Sequence, residues 1–275
     1  MRRAVINGAS ALVWEAGKGL PWLHFGHATG MHAALYARLL DPLSDRFNVV
    51  ASDARGHGET PAGGDMAWDV LGRDTLALME VVAPGQAFWL AGHSMGATSA
   101  LLAAVMAPER VLGVVMLDPP FIPFDVARAA GGVPVPNPLA DQAEKRRAVF
   151  ASRDEALASY AGRGVFRQFS EEDLAAYVAG GFVDDGDGVR LACAPGVEAA
   201  AYRGVRLDVE QQLARLVRPF VMLAAETGST VGEAEFAAFA GHPQCVRAAR
   251  VPGTGHFLPL QAPDVVRAAI RGLCV

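Results

Sequence analysis

Apolar segments alternate with helix-like segments through the first 120 residues, and this alternation restricts the chain to very few folds. The apolar segments, each followed by a turn rich in Gly, Asp or His, lie at 19–25, 47–53, 87–93 and 111–118. Segments with helical periodicity lie between them, at 31–43, 65–82 and 97–107. Strands that are apolar throughout are typical of parallel sheets covered by helices. We therefore predict an α/β domain with a mostly parallel, twisted sheet and helices on both faces.

A long insertion interrupts this alternation after residue 118, and the pattern resumes only at 217–226. The intervening sequence contains helix-like pieces at 141–152 and 170–180, and the second of these opens with a Ser-x-x-Asp capping pattern. We predict that residues 121–212 form a mainly helical lid inserted into the sheet domain.

The core is then built from two segments, 1–120 and 213–275. The second segment supplies another strand at 245–251 and a closing helix at 263–273, which has a proline in its first turn. A chain of 275 residues suits one α/β domain with an insertion. Because hydrophobic residues make up 52% of the chain and charged residues 19%, we expect a large core and little disorder.

Charge and cysteine content argue against several classes of protein. The net charge is −5 and the basic residues are scattered, so the basic stripe of a nucleic-acid surface is missing. The three cysteines lack CxxC or CxxH spacing, which indicates thiols in a reducing compartment. No apolar run approaches the ~18–20 residues that span a bilayer, and Asn7 and Gly8 interrupt the stretch that a signal peptide would need. We expect a cytoplasmic monomer or homodimer, without a nucleic-acid partner or membrane span.

The segment Ala-Gly-His-Ser-Met-Gly-Ala at 91–97 follows an apolar strand and opens a helix. Gly92 and Gly96 flank Ser94 in a Gly-x-Ser-x-Gly pattern. A nucleophile on such a sharp strand-to-helix turn needs neighbours without side chains. The start of the helix also offers free N–H groups and partial positive charge to a developing oxyanion. The pattern predicts Ser94 as a catalytic nucleophile, with an ordinary tight turn as the alternative.

Two other turns resemble those of the α/β-hydrolase family. The segment Leu-His-Phe-Gly-His-Ala-Thr-Gly at 23–30 is similar to the oxyanion loop of that family. The segment 52–60 is similar to its Asp-x-Arg-Gly-His-Gly turn, for which we expect a structural and not a catalytic role. The resemblance implies that the main-chain N–H groups of Thr29 and Met95 form an oxyanion hole, with His27 and Ala28 beside the substrate. His24 and His27 lack a nearby carboxylate, which favours loop packing over metal binding. We predict neither a metal nor another cofactor.

The segment Val-Pro-Gly-Thr-Gly-His-Phe at 251–257 places His256 on a Gly-rich loop after the last strand. This segment resembles the turn that carries the catalytic histidine of α/β-hydrolases. The order Ser94 before His256 is also that of the family. The resemblance implies that His256 deprotonates Ser94 and later activates water, whereas the alternative is a surface histidine. The family resemblance extends over residues ~5–120 and ~213–275 and covers the lid only as a position.

The acid of the expected triad is the least certain residue. The family usually carries it in the loop after the strand at 217–226, but Gly228 stands at that point and Glu226 comes two residues earlier. Asp118 ends the strand after the nucleophile helix, and a right-handed crossover makes that strand the neighbour of the Ser94 strand. The carboxyl ends of parallel strands share one edge, so Asp118 and Ser94 are expected to meet there. We favour Asp118, keep Glu226 as the alternative acid, and leave open a protein without an acid.

The predicted lid is rich in aromatic residues, which favours a small apolar substrate over a sugar or phosphate. We expect Phe121, Phe124 and Phe257 to contribute to the substrate site. The leading hypothesis is a serine hydrolase that cleaves a carboxylic ester or related acyl bond through an acyl-serine intermediate. The alternatives are an acyltransferase on the same scaffold and a ligand-binding homologue that has lost catalysis. The segment 182–191 predicts a hairpin-like turn rather than a calcium loop.

Overall fold

The computed structural model describes residues 1–274; Val275, the end of the predicted core segment, lies outside the described residues. Its strands are, in chain order, β1 (Arg2–Ile6), β2 (Ala9–Trp14), β3 (Trp22–Gly26), β4 (Asn48–Ser52), β5 (Phe88–His93), β6 (Val111–Leu117), β7 (Val149–Phe150), β8 (Phe182–Asp185), β9 (Gly188–Leu191), β10 (Phe220–Ala225) and β11 (Cys245–Val251).

Helices cover both faces of the main sheet and form most of the chain between β6 and β10, the segment predicted as a lid. They are, in chain order, α1 (Ala37–Leu40), α2 (Trp68–Val82), α3 (Met95–Met106), α4 (Phe124–Ala130), α5 (Pro138–Glu144), α6 (Arg153–Tyr160), α7 (Glu171–Gly181), α8 (Pro195–Arg203), α9 (Val209–Arg215), α10 (Glu233–Ala240), α11 (Leu258–Gln261) and α12 (Pro263–Leu273). Short 3-10 segments lie at Ala33–Tyr36, Asp41–Asp45, Pro108–Arg110 and Gly164–Gln168.

The main sheet has eight strands in the order β1-β2-β4-β3-β5-β6-β10-β11. β1 and β2 form an antiparallel pair at one edge, and β2 is antiparallel to β4. All other neighbours are parallel. This sheet confirms the predicted fold class, and it brings the carboxyl ends of β5, β6 and β10 together at one edge.

The central strands are apolar on both sides because helices cover both faces of the sheet. Val115 and Leu223 face one hydrophobic cluster, which also contains residues of α12, whereas Val114 and Met222 face the other, which contains residues of α2 and α3. α3 is buried along almost its whole length, so its sequence is apolar on every side. This helix lies directly behind the turn that carries Ser94.

The helical segment predicted at 31–43 is broken in the structure. A 3-10 turn at Ala33–Tyr36, the short α1 and a second 3-10 turn at Asp41–Asp45 replace the single helix. Pro42 lies in the first turn of the second 3-10 segment, and proline lacks the N–H that a continuing α-helix needs. The helices predicted at 65–82, 97–107 and 263–273 are confirmed as α2, α3 and α12.

The chain between β6 and β10 leaves the sheet, as the sequence predicts, and forms helices α4 to α9. It also contains a small antiparallel sheet, β7-β9-β8, which the mainly helical prediction does not include. The helix predicted at 141–152 ends at Glu144, because Val149 and Phe150 pair with β9 instead. The hairpin predicted at 182–191 is confirmed as β8 and β9. The domain limits stay a prediction. Helix α9 spans the limit predicted at residue 212 and packs against α3.

The helix predicted at 170–180 is confirmed as α7. Its cap is the one that the sequence predicts, because the Ser170 hydroxyl accepts a hydrogen bond from the Asp173 N–H. The search for membrane-crossing helices covered the described residues, and none of their helices has the length and hydropathy that crossing requires.

Candidate active site

Ser94 stands at the junction of β5 and α3 in a strained conformation, with φ 53° and ψ −123°. Its N–H donates a hydrogen bond to the Leu117 carbonyl oxygen of β6 at 2.9 Å, which fixes the turn to the neighbouring strand. A Cβ atom on Gly92 would lie 2.4 Å from the Gly96 carbonyl, and a Cβ on Gly96 would lie 2.3 Å from the Gly26 oxygen. The glycines of the motif are therefore required by close backbone packing. The turn holds Ser94 at the carboxyl edge of the sheet.

Asp118 follows β6 directly, and its side chain is fully buried. Its Oδ2 atom lies 2.6 Å from Nδ1 of His256. Burial alone would raise the pKa of Asp118, but hydrogen bonds from His256, Ser229 and Ala225 outweigh burial and lower the pKa to about 2. The carboxylate is therefore ionised at neutral pH and accepts the hydrogen bond from His256.

The loop after β10 holds the Asp118 carboxylate through hydrogen-bond donors. Oδ1 accepts from the Ala225 N–H at 2.8 Å and from the Ser229 hydroxyl at 2.5 Å, whereas Oδ2 accepts from the Thr230 N–H at 3.1 Å. The loop turns at Gly228, whose φ is 58°. Where the family usually carries its acid, this chain therefore supplies donors to an acid on the neighbouring strand. The sequence reasoning missed Ser229 and Thr230, although two hydroxyl residues beside Gly228 were the available signal.

Glu226, the alternative acid, does not contact the His256 ring. Its Oε2 atom accepts a hydrogen bond from the Gly253 N–H at 2.9 Å, and its side chain is exposed. Glu226 therefore braces the loop that carries His256, while Asp118 holds the imidazole itself.

The His256 side chain is 20% exposed and lies at the same sheet edge as Ser94. Because Nδ1 donates to the ionised Asp118, the neutral ring carries no proton on Nε2, which is the atom that can accept one. Within residues 1–274, Ser94 Oγ makes no hydrogen bond to His256, and the Ser94 side chain is largely buried. Such bonds are often long in unliganded sites and shorten when substrate binds. The arrangement brings together Ser94, His256 and Asp118, three residues far apart in the chain.

The main-chain N–H groups of Thr29 and Met95 have no hydrogen-bond acceptor within residues 1–274. Three neighbouring N–H groups are bonded. Ala28 donates to the Tyr36 hydroxyl at 3.4 Å, Gly30 donates to His57 Nε2 at 3.1 Å, and Gly96 donates to the His27 carbonyl at 3.1 Å. The last bond joins the loop directly to the start of α3. The two free donors are thus the pair that the sequence suggested for an oxyanion hole.

His27 stabilises the shape of this loop through hydrogen bonds to main-chain groups. His27 Nε2 accepts a hydrogen bond from the Ala54 N–H at 2.9 Å, and its Nδ1 donates to the Ala28 carbonyl at 2.8 Å. Both residues are buried, and burial lowers the pKa of His27. Both His27 nitrogens are bonded to main-chain groups, and the contact of His27 with substrate stays a prediction.

The sequence matches the α/β-hydrolase fold family over residues 21–263. The chain belongs to this family. A 2-(acetamidomethylene)succinate hydrolase of Mesorhizobium japonicum is 27% identical over 271 residues, which are 98% of this chain and 93% of the relative. A pimeloyl-[acyl-carrier protein] methyl ester esterase of Methylococcus capsulatus is 37% identical over 91 residues, 33% of this chain and 34% of the relative.

Solved structures show the same fold. A crystal structure of an E-2-(acetamidomethylene)succinate hydrolase superposes on this α/β-hydrolase with a TM-score of 0.78 at 22% identity, covering 99% of this chain and 98% of that chain. A Mycobacterium tuberculosis esterase gives a TM-score of 0.78 at 19% identity, covering 99% of this chain and 91% of that chain. The family and the relatives together support a hydrolase.

Phe121 and Phe124 pack in the core of this α/β-hydrolase. The Phe121 ring stacks on Phe239 of α10 at 4.9 Å, and the Phe124 N–H donates to the buried Glu235 carboxylate at 2.8 Å. Both side chains belong to the cluster beneath α3 and α10. Their role in binding substrate stays a prediction.

Phe257, the third predicted substrate residue, is next to the site but buried. Its ring contacts the rings of His256 and His93 at 5.3 Å each and that of Phe169 in the lid at 4.8 Å. Phe257 therefore joins the lid to the loop of His256.

The sequence reasoning missed His93 and Tyr36. His93 Nε2 lies 2.8 Å from the His256 carbonyl oxygen, and the Tyr36 hydroxyl lies 2.7 Å from His93 Nδ1. Both side chains are fully buried in this α/β-hydrolase. The available signal was a histidine at the last residue of an otherwise apolar strand. Among residues 1–274, no group of three His, Cys, Asp or Glu side chains is placed to hold a metal ion.

Proposed function

We propose that this α/β-hydrolase cleaves a carboxylic ester or a related acyl bond through an acyl-serine intermediate. The observation that carries this proposal is the 2.6 Å contact between Asp118 and His256, at the sheet edge where Ser94 stands on its strained turn. An ionised acid, an oriented imidazole and a serine hydroxyl are the three groups that serine hydrolysis needs.

In the first half-reaction, Ser94 Oγ attacks the substrate carbonyl carbon while its proton passes to His256 Nε2. The Asp118 carboxylate stabilises the imidazolium that forms, because it accepts a hydrogen bond from the His256 Nδ1–H and stays ionised. The carbonyl oxygen becomes an oxyanion that accepts hydrogen bonds from the N–H groups of Thr29 and Met95. When the tetrahedral intermediate collapses, the bond to the leaving group breaks and His256 gives its proton to that group.

In the second half-reaction, water replaces the leaving group. His256 accepts a proton from water as the water oxygen attacks the acyl-serine carbonyl, and the same two N–H groups bind the second oxyanion. Collapse of this intermediate breaks the bond to Ser94 Oγ, which recovers its proton from His256. The products are a carboxylic acid and free enzyme, so atoms and protons balance over the cycle.

We propose a small and largely apolar substrate. Ser94 is 7% exposed, and Phe169 of the lid, which packs with Phe166 and Tyr177, contacts Phe257 beside His256. The relative from Mesorhizobium japonicum aligns with nearly the whole chain and is named for a substituted succinate, a small compound with two carboxylates. That likeness supports a compact substrate rather than a long acyl chain.

We also propose that the enzyme uses no cofactor and has neither a nucleic-acid partner nor a membrane span. The acidic net charge supports the absence of a nucleic-acid partner. The cysteines at 193, 245 and 274 are free, which supports a reducing, cytoplasmic compartment. We propose that the enzyme is a monomer or a homodimer.

A fluorophosphonate probe, which reacts with activated serines, tests the proposal. We expect the wild-type protein to be labelled and Ser94→Ala to remain unlabelled. Ser99→Ala is the matched control, because Ser99 lies on α3 and its buried hydroxyl has no hydrogen-bond partner. Folded wild-type protein that resists labelling would favour the ligand-binding alternative.

The acyltransferase alternative uses the same acyl-serine, so labelling alone does not separate it from hydrolysis. Turnover of a p-nitrophenyl ester with and without an added alcohol separates them. With dilute alcohol, hydrolysis predicts the free acid as the main product, whereas acyl transfer predicts that a new ester dominates despite the large excess of water.

A further inference from the structure

We propose that His93 and Tyr36 are positioning residues that fix the main chain of His256 relative to the nucleophile turn. The inference rests on the proposed function, because it assigns these residues to the same catalytic site. Neither residue is placed to touch the reacting atoms. Their effect is transmitted through hydrogen bonds to the segments that do.

The hydrogen-bond directions in this pair follow from the chemistry of the atoms. The His256 carbonyl oxygen can only accept, so His93 Nε2, 2.8 Å away, must carry a proton and donate it. A neutral ring then has a bare Nδ1, which accepts from the Tyr36 hydroxyl at 2.7 Å. The Tyr36 oxygen in turn accepts from the Ala28 N–H at 3.4 Å. The chain of bonds therefore has one direction throughout.

This chain of bonds joins the three segments that form the site. Ala28 precedes Thr29 in the oxyanion loop, His93 precedes Ser94 on the nucleophile turn, and the last acceptor is the main chain of His256 itself. Because β5 carries His93 and leads directly into Ser94, the strand that aims the nucleophile also holds the base. No other part of the described chain connects all three segments through consecutive side-chain hydrogen bonds.

His256 needs a main-chain attachment because its loop is flexible in sequence. Gly253, with φ 72°, and Gly255 lie just before it. Glu226 and Gln261 hold the N–H groups of Gly253 and Gly255, whereas Asp118 holds His256 itself at its ring. The bond from His93 adds a second point of attachment on the main chain. Two points fix both the location and the rotation of the imidazole.

His93 can hold this role while His256 gains and loses a proton. The two ring centroids are 4.8 Å apart, so a positive charge on His256 disfavours a positive charge on His93. Burial, followed by the nearby charge of His256, lowers the pKa of His93 to about 3. His93 therefore stays neutral, and its Nε2–H keeps donating throughout the reaction cycle.

The first test compares kcat for a p-nitrophenyl ester in His93→Leu and His93→Gln. We expect His93→Leu to lower kcat by ~10²-fold, the usual cost of a base displaced by about 1 Å, with KM nearly unchanged. Glutamine places an amide N–H close to where His93 Nε2 lies, so His93→Gln should recover most of the loss. A kcat in His93→Leu equal to that of the wild type would overturn the proposal.

His24→Leu is the matched control for the loss of a buried histidine. His24 lies on β3, beside β5, and its ring bonds to Ser52 instead of the site. Burial lowers the pKa of His24 to about 3, as it does for His93. We expect His24→Leu to change stability but not kcat. An equal fall of kcat in both variants would mean that the His93 effect is a general loss of packing.

Tyr36→Phe tests the same chain of bonds if His93→Leu does not fold. Phenylalanine keeps the ring but removes the donor to His93 Nδ1, so the His93 tautomer is no longer enforced. We expect a ~10-fold fall in kcat, because a flipped tautomer removes the donor to His256 in part of the molecules. An unchanged kcat in a folded Tyr36→Phe protein would contradict the proposal.

Nitrogen-15 NMR of the histidine rings tests the arrangement without relying on activity. We expect the His93 ring to be protonated at Nε2 and bare at Nδ1 from pH 5 to pH 8, and Tyr36→Phe to change this pattern. Protonation of both nitrogens near neutral pH would overturn the proposal. Failure of the wild type to react with a fluorophosphonate would instead refute the proposed function, so the two failures are distinguishable.

Discussion

Different interactions stabilise the lid and the sheet edge that carries the candidate site. β6 and β10 are buried almost completely, and their ends are fixed by main-chain hydrogen bonds and by the donors around Asp118. The lid instead depends on aromatic contacts and on arginine ion pairs, many of them exposed. The geometry of the candidate site is therefore carried by the core, and changes in the lid away from the Phe169–Phe257 contact should leave it intact.

The largest expected effect is on the core side of this comparison. Ser94→Ala removes the nucleophile, so we expect turnover of a p-nitrophenyl ester to fall by ~10⁶-fold, with unchanged thermal unfolding. His256→Ala should lower the rate by a similar factor. Substitutions in the lid leave Ser94 in place, so these variants should retain measurable turnover. Residual activity above ~1% in Ser94→Ala would remove Ser94 from the mechanism.

The next largest effect separates two carboxylates at the same edge. Asp118→Asn should lower kcat by ~10⁴-fold, because a neutral amide no longer enforces the His256 tautomer. Glu226→Gln is the matched control, since Glu226 bonds only to the Gly253 N–H, and we expect little change in its kcat. Steady-state kinetics on both variants measure the contrast. The reverse ranking would move the acid to Glu226.

The third prediction concerns the lid. Arg146 of the lid pairs with the buried Glu198 of α8 and also donates to the hydroxyls of Tyr160 and Tyr177. Burial would lower the pKa of Arg146, but these neighbours outweigh burial and raise it, so Arg146 stays charged. Glu198→Gln leaves that charge unpaired, and we expect a loss of ~3–5 kcal/mol in the free energy of unfolding of the lid.

Hydrogen exchange followed by mass spectrometry measures this loss, because it reports the lid and the sheet separately. Exchange should become faster in the lid of Glu198→Gln while the strands stay protected. Glu144→Gln is the control, because it breaks the exposed pair with Arg203 and should leave exchange unchanged. Faster exchange in β5 and β6 of Glu198→Gln would show that core and lid are not separable.

The smallest effect is the pH dependence of stability that Asp118 contributes. Its pKa of about 2 in the folded state lies below the ordinary value of 3.8, so its contribution is fully present above pH 3.8 and is lost as pH falls toward 2. The difference corresponds to on the order of 2 kcal/mol. Urea unfolding of wild type and Asp118→Asn at pH 5 and pH 2.5 should show the gap between them narrowing. A gap that is constant with pH would contradict the low pKa.

The sequence was sufficient for those parts of the molecule that depend on local pattern and strand order. Continuous apolar strands indicated the parallel sheet, and the rule that parallel strands end at one edge brought Asp118 to Ser94. The donors to Asp118 could not be predicted in this way. Ser229 and Thr230 are far from Asp118 in the chain, and a hydroxyl in a loop carries no periodic signal.

The sequence pattern is ambiguous where the same residues suit two environments. Phe121 and Phe124 follow β6, where an apolar residue can face either the lid or the core; Phe121 stacks on Phe239 of α10, and both side chains belong to a core cluster. Val149 and Phe150 continue a helix-like segment, but pairing with β9 makes them a strand. Tertiary contacts decided each case, because local propensity is a weak force beside packing.

The placement of the acid also bears on how such a site can change over generations. The ends of β6 and β10 meet around a single carboxylate, which the first supplies and the second surrounds with donors. Each strand end is thus a ready substitute for the other. An ancestor could acquire a second carboxylate on one strand before losing the first, so the acid can migrate between them without any inactive intermediate.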